Sequence, residues 1–198
     1  VCLQKGYRER YPLVSRMSND IIRVAVTGHR PEAMTPETLL WVRQQIRRVL
    51  LRAMRKYGDR LRGATGMARG VDMIFAEECE ALGIPFAAYV PFAGQSSKWS
   101  KSEQRRYREL LRQAEFVEIV CDGDWSTPRD NWKFLRRNEV MLDEAHVLLS
   151  VWSGSTRGGT AHAVRHWRKT HRKHIWIHSV EHRLGWWREP TSLSSSSD

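Results

Sequence analysis

The segment Gly63-Ala64-Thr65-Gly66-Met67-Ala68-Arg69-Gly70-Val71-Asp72 runs directly into Met73-Ile74-Phe75-Ala76-Glu77-Glu78-Cys79. Glycines at this spacing permit positive φ and close backbone approach, while Val71, Ile74, Phe75, Cys79 and Leu82 fall on one face at helical spacing. The chemistry on offer is anion binding, because a strand, tight turn and helix start leave several backbone N–H groups pointing at one spot that suits a phosphate. A lone glycine cluster is more often an unliganded turn. Two further loops add weight: Thr27-Gly28-His29-Arg30-Pro31, and Ser153-Gly154-Ser155-Thr156-Arg157-Gly158-Gly159-Thr160.

Other chemistries find less support. His162 and His166 lie four apart on a predicted helix, with His171, His174, His178 and His182 following, but neither H-E-x-x-H nor a cysteine partner accompanies them. No metal and no cofactor is therefore expected. Neither G-x-x-x-x-G-K-[ST] nor G-x-S-x-G occurs, and the first strand is not followed by G-x-G-x-x-G, which disfavours a P-loop nucleotidase, an α/β-hydrolase and a dinucleotide oxidoreductase. His29 and Arg30 read as polar groups at a cleft.

The elements that must position these loops alternate along the chain. Ile21–Val26 is a β-branched run, Thr35-Pro36-Glu37 gives an N-cap, a proline at the first helical position and an acidic first turn, and the helix continues to about Tyr57. Strands follow near residues 60–63, 85–91, 116–120, 147–152 and 174–178, and helices near 100–114, 132–144 and 160–170. This alternation predicts an α/β, Rossmann-like, doubly wound and mainly parallel sheet with helices on both faces. In such a sheet the loops at the carboxyl ends of the strands share one edge, where ligands bind.

Length and composition bound the rest. The 198 residues suit one domain, read as residues 21–180 between a polar, basic tail (1–20) and a serine-rich tail (181–198), with Met17 a candidate for the native start. Three widely spaced cysteines offer no disulfide framework, and no apolar run approaches a membrane span, so a cytoplasmic setting without membrane contact is expected. A net charge of +11 keeps nucleic acid open as a partner, the arginines at 43, 47, 48, 52 and 55 with Lys56 being the best patch for it, although basic residues are scattered over many segments. The nine tryptophans read as core or cleft walls.

Four motifs in order, Val26-Thr27-Gly28-His29-Arg30-Pro31, Gly66-Met67-Ala68-Arg69-Gly70-Val71-Asp72, Arg137-Asn138-Glu139-Val140-Met141-Leu142-Asp143 and Gly158-Gly159-Thr160, resemble the SLOG superfamily of Rossmann-like proteins, in particular its YpsA/YspA-like branch. The likeness covers about residues 21–180. It implies a nucleotide or nucleotide-derived ligand, such as an ADP-ribose-like molecule, held by the glycine loops of a sensor or weak nucleotide-processing protein. On that reading Thr27, Gly28, His29 and Arg30 line the cleft, and Gly66, Met67, Ala68 and Gly70 approach phosphate or ribose with their backbone. Asp72 caps a helix start or holds a hydroxyl, Arg137 and Asn138 reach the ligand, and Gly154, Gly158, Gly159 and Thr160 cradle phosphate. The lonely-guy phosphoribohydrolases of the same superfamily use a glutamate three residues after the G-T pair; here that position is Ala163, which leaves catalysis and the catalytic residues open. His162 and Glu139 are the nearest candidates to substitute. The alternatives are a DNA-binding module similar to DNA-processing protein A and a phosphoribohydrolase of lonely-guy type; homo-oligomerisation also stays open.

Overall fold

The computed structural model describes residues 20–123, 131–170 and 172–186. Seven strands form one sheet: β1 (Ile22–Gly28), β2 (Leu61–Thr65), β3 (Phe86–Val90), β4 (Phe116–Ile119), β5 (Val147–Trp152), β6 (Lys173–His178) and β7 (Arg183–Trp186). Among the described residues five α-helices accompany them: α1 (Pro36–Tyr57), α2 (Val71–Ala81), α3 (Lys101–Gln113), α4 (Asn131–Asp143) and α5 (Gly159–Arg168). The order across the sheet is β4-β3-β2-β1-β5-β6-β7, with all neighbours parallel except the antiparallel β6–β7 pair.

β1, β2, β3 and β5 are buried along nearly their whole length, as parallel strands covered on both faces must be. Side chains alternate between two cores. Val24 and Val26 join Val42, Ile46 and Leu50 of α1, Phe75 and Cys79 of α2, and Tyr107 and Leu110 of α3. Ala25, Ala64, Ala87 and Leu148 face the other way, against Met141 and Leu142 of α4 and Val164 and Trp167 of α5. The expected doubly wound sheet is therefore present, and its strand order reverses between β1 and β5.

Local chemistry fixes the helix starts. Thr35 Oγ1 accepts from Thr38 N at 3.1 Å ahead of Pro36, and Ser100 with Glu103 forms a reciprocal capping box at the start of α3. β7 is the departure from expectation. Residues 183–186 were expected within the C-terminal tail, yet they pair with β6 from Ile175↔Trp186 to His178↔Arg183. Residues 1–19 of the N-terminal tail, Met17 among them, and residues 187–198 lie outside the described residues, as does His171.

The α1 basic patch is altered by its surroundings. Glu77, Glu78 and Glu80 form an acidic ridge on α2; Arg43 pairs with Glu77 and Glu78, Arg47 with Glu78, and Arg106 of α3 with Glu77 and Glu80. Arg43 and Arg47 thus tie α1 to α2, leaving Arg48, Arg52, Arg55 and Lys56 as the exposed remainder.

Candidate functional site

β1, β2 and β5 are parallel, so the three loops of interest gather at their carboxyl ends, beside the reversal in strand order between β1 and β5. The structure assigns them unequal tasks.

The β2–α2 turn is closed on itself. Met67 lies in left-handed backbone (φ 54°) with its side chain wholly buried, and its N–H donates to Thr65 Oγ1 at 3.2 Å. The Ala68 N–H donates to Asp72 Oδ2 at 3.3 Å, and the Val71 N–H to the His29 carbonyl at 3.3 Å. Gly66 and Met67 carbonyls accept from Gln95 Nε2 at 3.4 and 2.8 Å. Three N–H groups on which the anion reading drew are consequently spent inside the protein. Gly70 serves packing: with φ +88° it passes so close to β1 that a Cβ would stand 2.6 Å from the His29 carbonyl oxygen.

Asp72 and Arg137 are buried beside each other. They are 6% and 3% exposed, with Arg137 Nη1 3.8 Å from Asp72 Oδ2 and donating to the Gly66 carbonyl and, at 3.4 Å, to the Tyr89 carbonyl. Burial raises the Asp72 carboxyl to about 6, against the pull of Arg137, the Ala68 N–H and Arg30. Burial likewise lowers the Arg137 guanidinium, opposed by Asp72. Asn138, next along α4, donates to the Gly159 carbonyl at 3.5 Å. The Arg-Asn pair therefore holds one glycine loop with each residue and fixes the two relative to each other. Thr27 is buried as well.

The β5–α5 loop differs. It is shaped from within: Trp152 Nε1 donates to the Ser155 carbonyl at 3.0 Å, the Arg157 N–H to Ser155 Oγ at 3.2 Å, and Arg165 Nη1 to the Thr156 carbonyl at 2.7 Å. Its end is open. α5 begins after Gly158 (φ +95°) with no side-chain cap, and a Cβ on either Gly158 or Gly159 would meet no atom within 4 Å. Gly154, Gly158 and Gly159 are exposed and Thr160 half-buried. Here the first helical N–H groups have no intrahelical acceptor, at a helix start whose glycines are exposed.

His29 joins the loops. Its carbonyl accepts from Val71, and its Nε2 accepts from the Ser153 N–H at 3.0 Å. Accepting at Nε2 requires the neutral ring with its proton on Nδ1, and burial lowers the His29 pKa from 6.5. Stability from this depressed group is fully present above pH 6.5 and lost as pH falls through the lowered folded value. A ¹⁵N NMR titration is expected to show the Nδ1–H tautomer at neutral pH and a midpoint below 6.5. Exposed Arg30 acts electrostatically on both Asp72 and Arg137.

The α5 histidines have carboxylate neighbours on α4: His162 Nε2 lies 3.7 Å from Glu139 Oε1, and His166 Nε2 2.7 Å from Asp143 Oδ1. Ala163 is fully buried in the α4–α5 core. Sequence reasoning missed Gln95, whose polar surroundings Gly94-Gln95-Ser96-Ser97 read only as loop. Arg69, within the same glycine motif, pairs with Glu32 and Glu103 at 2.6 Å each, bracing the turn from two sides.

Comparison with known proteins agrees with this architecture. A UPF0398 protein of Staphylococcus haemolyticus is 26% identical over 68 residues, 34% of this chain and 35% of that protein. A UPF0398 protein of Bacillus pumilus is 22% identical over 94 residues, 48% of this chain and 49% of that one. The matches thus span about a third to a half of these relatives. The crystal structure of DNA processing protein A from Streptococcus pneumoniae superposes with a TM-score of 0.59 at 16% identity, covering 84% of this chain and 59% of that one, a likeness of fold. No helix among the described residues is long and apolar enough to cross a membrane. Residues 24–182 match the YspA SLOG family, and with most of its length inside that match the chain belongs to this family.

Proposed function

We propose that this chain binds a nucleotide or nucleotide-derived molecule of ADP-ribose-like chemistry, with a phosphate at the N-terminus of α5, and acts as a sensor or weak nucleotide-processing protein. One observation carries the reading: at the reversal between β1 and β5, α5 opens on Gly158 without a side-chain cap and into open space. Helix N-termini at such crevices favour phosphate through aligned N–H groups and the helix dipole. Arg30, exposed near the same edge, adds positive charge. In this assignment Gly154, Gly158, Gly159, Thr160 and Arg30 face the ligand. Gly28, His29, Gly66, Met67, Ala68, Gly70, Asp72, Arg137 and Asn138 build the frame behind them.

Base release by the lonely-guy mechanism is not part of this proposal, because Ala163 is apolar and sealed in the core. A thermal-shift screen of mononucleotides, dinucleotides and ADP-ribose tests the reading. A ligand at one hundred times its dissociation constant adds about 2.7 kcal/mol, a rise of roughly 5–11 °C for a domain of this size. Gly159→Val is expected to fold normally, since its Cβ meets nothing, and to lose most of the rise. Full retention of the rise in that variant, or no response to any nucleotide, would overturn the assignment.

A further inference from the structure

We propose that the solvent face of α3 docks the phosphate backbone of duplex nucleic acid through Lys101, Arg105, Arg108 and Arg112. These residues recur at i, i+4, i+7 and i+11, which places them within roughly 60° of one another around the helix and along about 16 Å of its axis. All four are exposed, and none has an ion pair among the described residues. The opposite side of α3 buries Tyr107 and Leu110, so the stripe points straight away from the core.

Other charges on the helix are already committed. Glu103 takes part in the capping box and pairs with Arg69, Arg106 holds Glu77 and Glu80, and Glu109 lies 3.6 Å from Arg106. Glu109 borders the stripe, four residues after Arg105 and three before Arg112, with its carboxylate 3.6 Å from Arg106; no other acidic side chain of α3 adjoins it. By contrast, α1 spends Arg43 and Arg47 on α2, and Arg48 and Arg55 donate to Gln45 and to the Leu51 carbonyl within α1 itself.

The chemistry favours a phosphate polymer. Three of the four groups are guanidinium forks, suited to bidentate contact with phosphate oxygens. A membrane-surface helix would present large apolar residues beside its cations; the exposed residues of α3 are Lys101, Ser102, Arg105, Arg108, Arg112 and Gln113. The same residues include no aromatic on which an unpaired base could stack, which favours duplex backbone over single strands. This inference is independent of the α5 pocket.

The test uses the full chain and a fluorescent duplex of arbitrary sequence, with anisotropy measured over a range of salt. Four phosphate contacts predict a slope of log K against log salt near −3.6. The triple variant Arg105→Gln/Arg108→Gln/Arg112→Gln is expected to flatten the slope by about 2.7 and to weaken binding at least tenfold at low salt. Its melting temperature and nucleotide thermal shift should be those of the parent. Arg48→Gln/Arg52→Gln/Arg55→Gln should bind nearly as the parent does. An unchanged slope in the α3 variant, loss confined to the α1 variant, or no duplex binding by the parent would overturn the proposal. Binding of the parent to phosphatidylserine vesicles but not to duplex would do so as well, and would reassign the stripe to a membrane surface.

Discussion

Replacing Asp72 by alanine is expected to cost up to about 3 kcal/mol of stability at pH 7.5, the low end of the range found when one partner of a buried ion pair is removed, because the carboxylate that is lost is itself disfavoured by burial at that pH. The melting temperature should fall by up to roughly 6–12 °C. The loss comes mainly from what is left behind, an Arg137 guanidinium 3% exposed whose carboxylate neighbour is gone, together with an Ala68 N–H that has lost its acceptor. Removing both charges, as Asp72→Ala with Arg137→Met, is expected to cost clearly less than the two single losses added together. Chemical denaturation of the four proteins measures this coupling. Additive losses would show that the two side chains do not act as a pair.

The pH dependence has a sign that separates this site from an ordinary salt bridge. The folded-state value of Asp72 is raised, from 3.8 to about 6, because burial outweighs the attraction of Arg137. Between those values the folded chain binds the proton more tightly than the unfolded chain does, so the stability linked to this group is fully present below pH 3.8 and lost as pH rises through about 6. Compared with Asp72→Asn, which carries no charge, the parent should lose ground between pH 4 and pH 7, on the order of 2 kcal/mol. A difference that stays flat would show that Asp72 is ionised throughout. Either way, a variant at Asp72 reports on the framework, and lost ligand binding in it is no sign of a direct contact.

Much of the fold was legible in the sequence because local rules and burial agree there. The β-branched run at Ile22–Val26, the Thr35-Pro36 helix start and the apolar Val147–Trp152 strand are each specified by neighbouring residues, and the loops followed from the strand–helix alternation. β7 was not legible, since Arg183-Leu184-Gly185-Trp186 carries no apolar run; its register comes from β6. The meeting of the three loops was legible, their internal contacts only partly so. Charge and glycine spacing mark Asp72, Arg137 and Gly66 for a polar cleft, but their mutual contact spans 65 residues of chain between Asp72 and Arg137. No local pattern reveals that such charges satisfy one another. The same holds for Arg43 and Arg47, whose partners sit more than 30 residues away on α2.

The second large effect is expected at Gly28. An added Cβ there would lie 2.6 Å from Cβ and Cγ1 of Val71 and 2.7 Å from its Cγ2, distances that no side-chain rotation relieves, because the branched side chain is fully buried at the first turn of α2. Gly28→Ala must push α2 off β1, at a cost of about 3 kcal/mol, the upper part of the range for overpacked cores. The displacement would act on function as well. Val71 N–H reaches the His29 carbonyl, and His29 Nε2 holds the Ser153 N–H at the start of the β5–α5 loop, so a shift of α2 is passed to the proposed phosphate site. Gly28→Ala should therefore weaken the nucleotide response even at temperatures where the protein remains folded. Combining it with Val71→Gly removes the obstructing carbons, and the double variant should regain part of both stability and response, despite about 1 kcal/mol for a glycine inside a helix. Equal responses from parent and Gly28→Ala at a temperature where both are folded would mean that the β1 and β5 loops do not work as one unit.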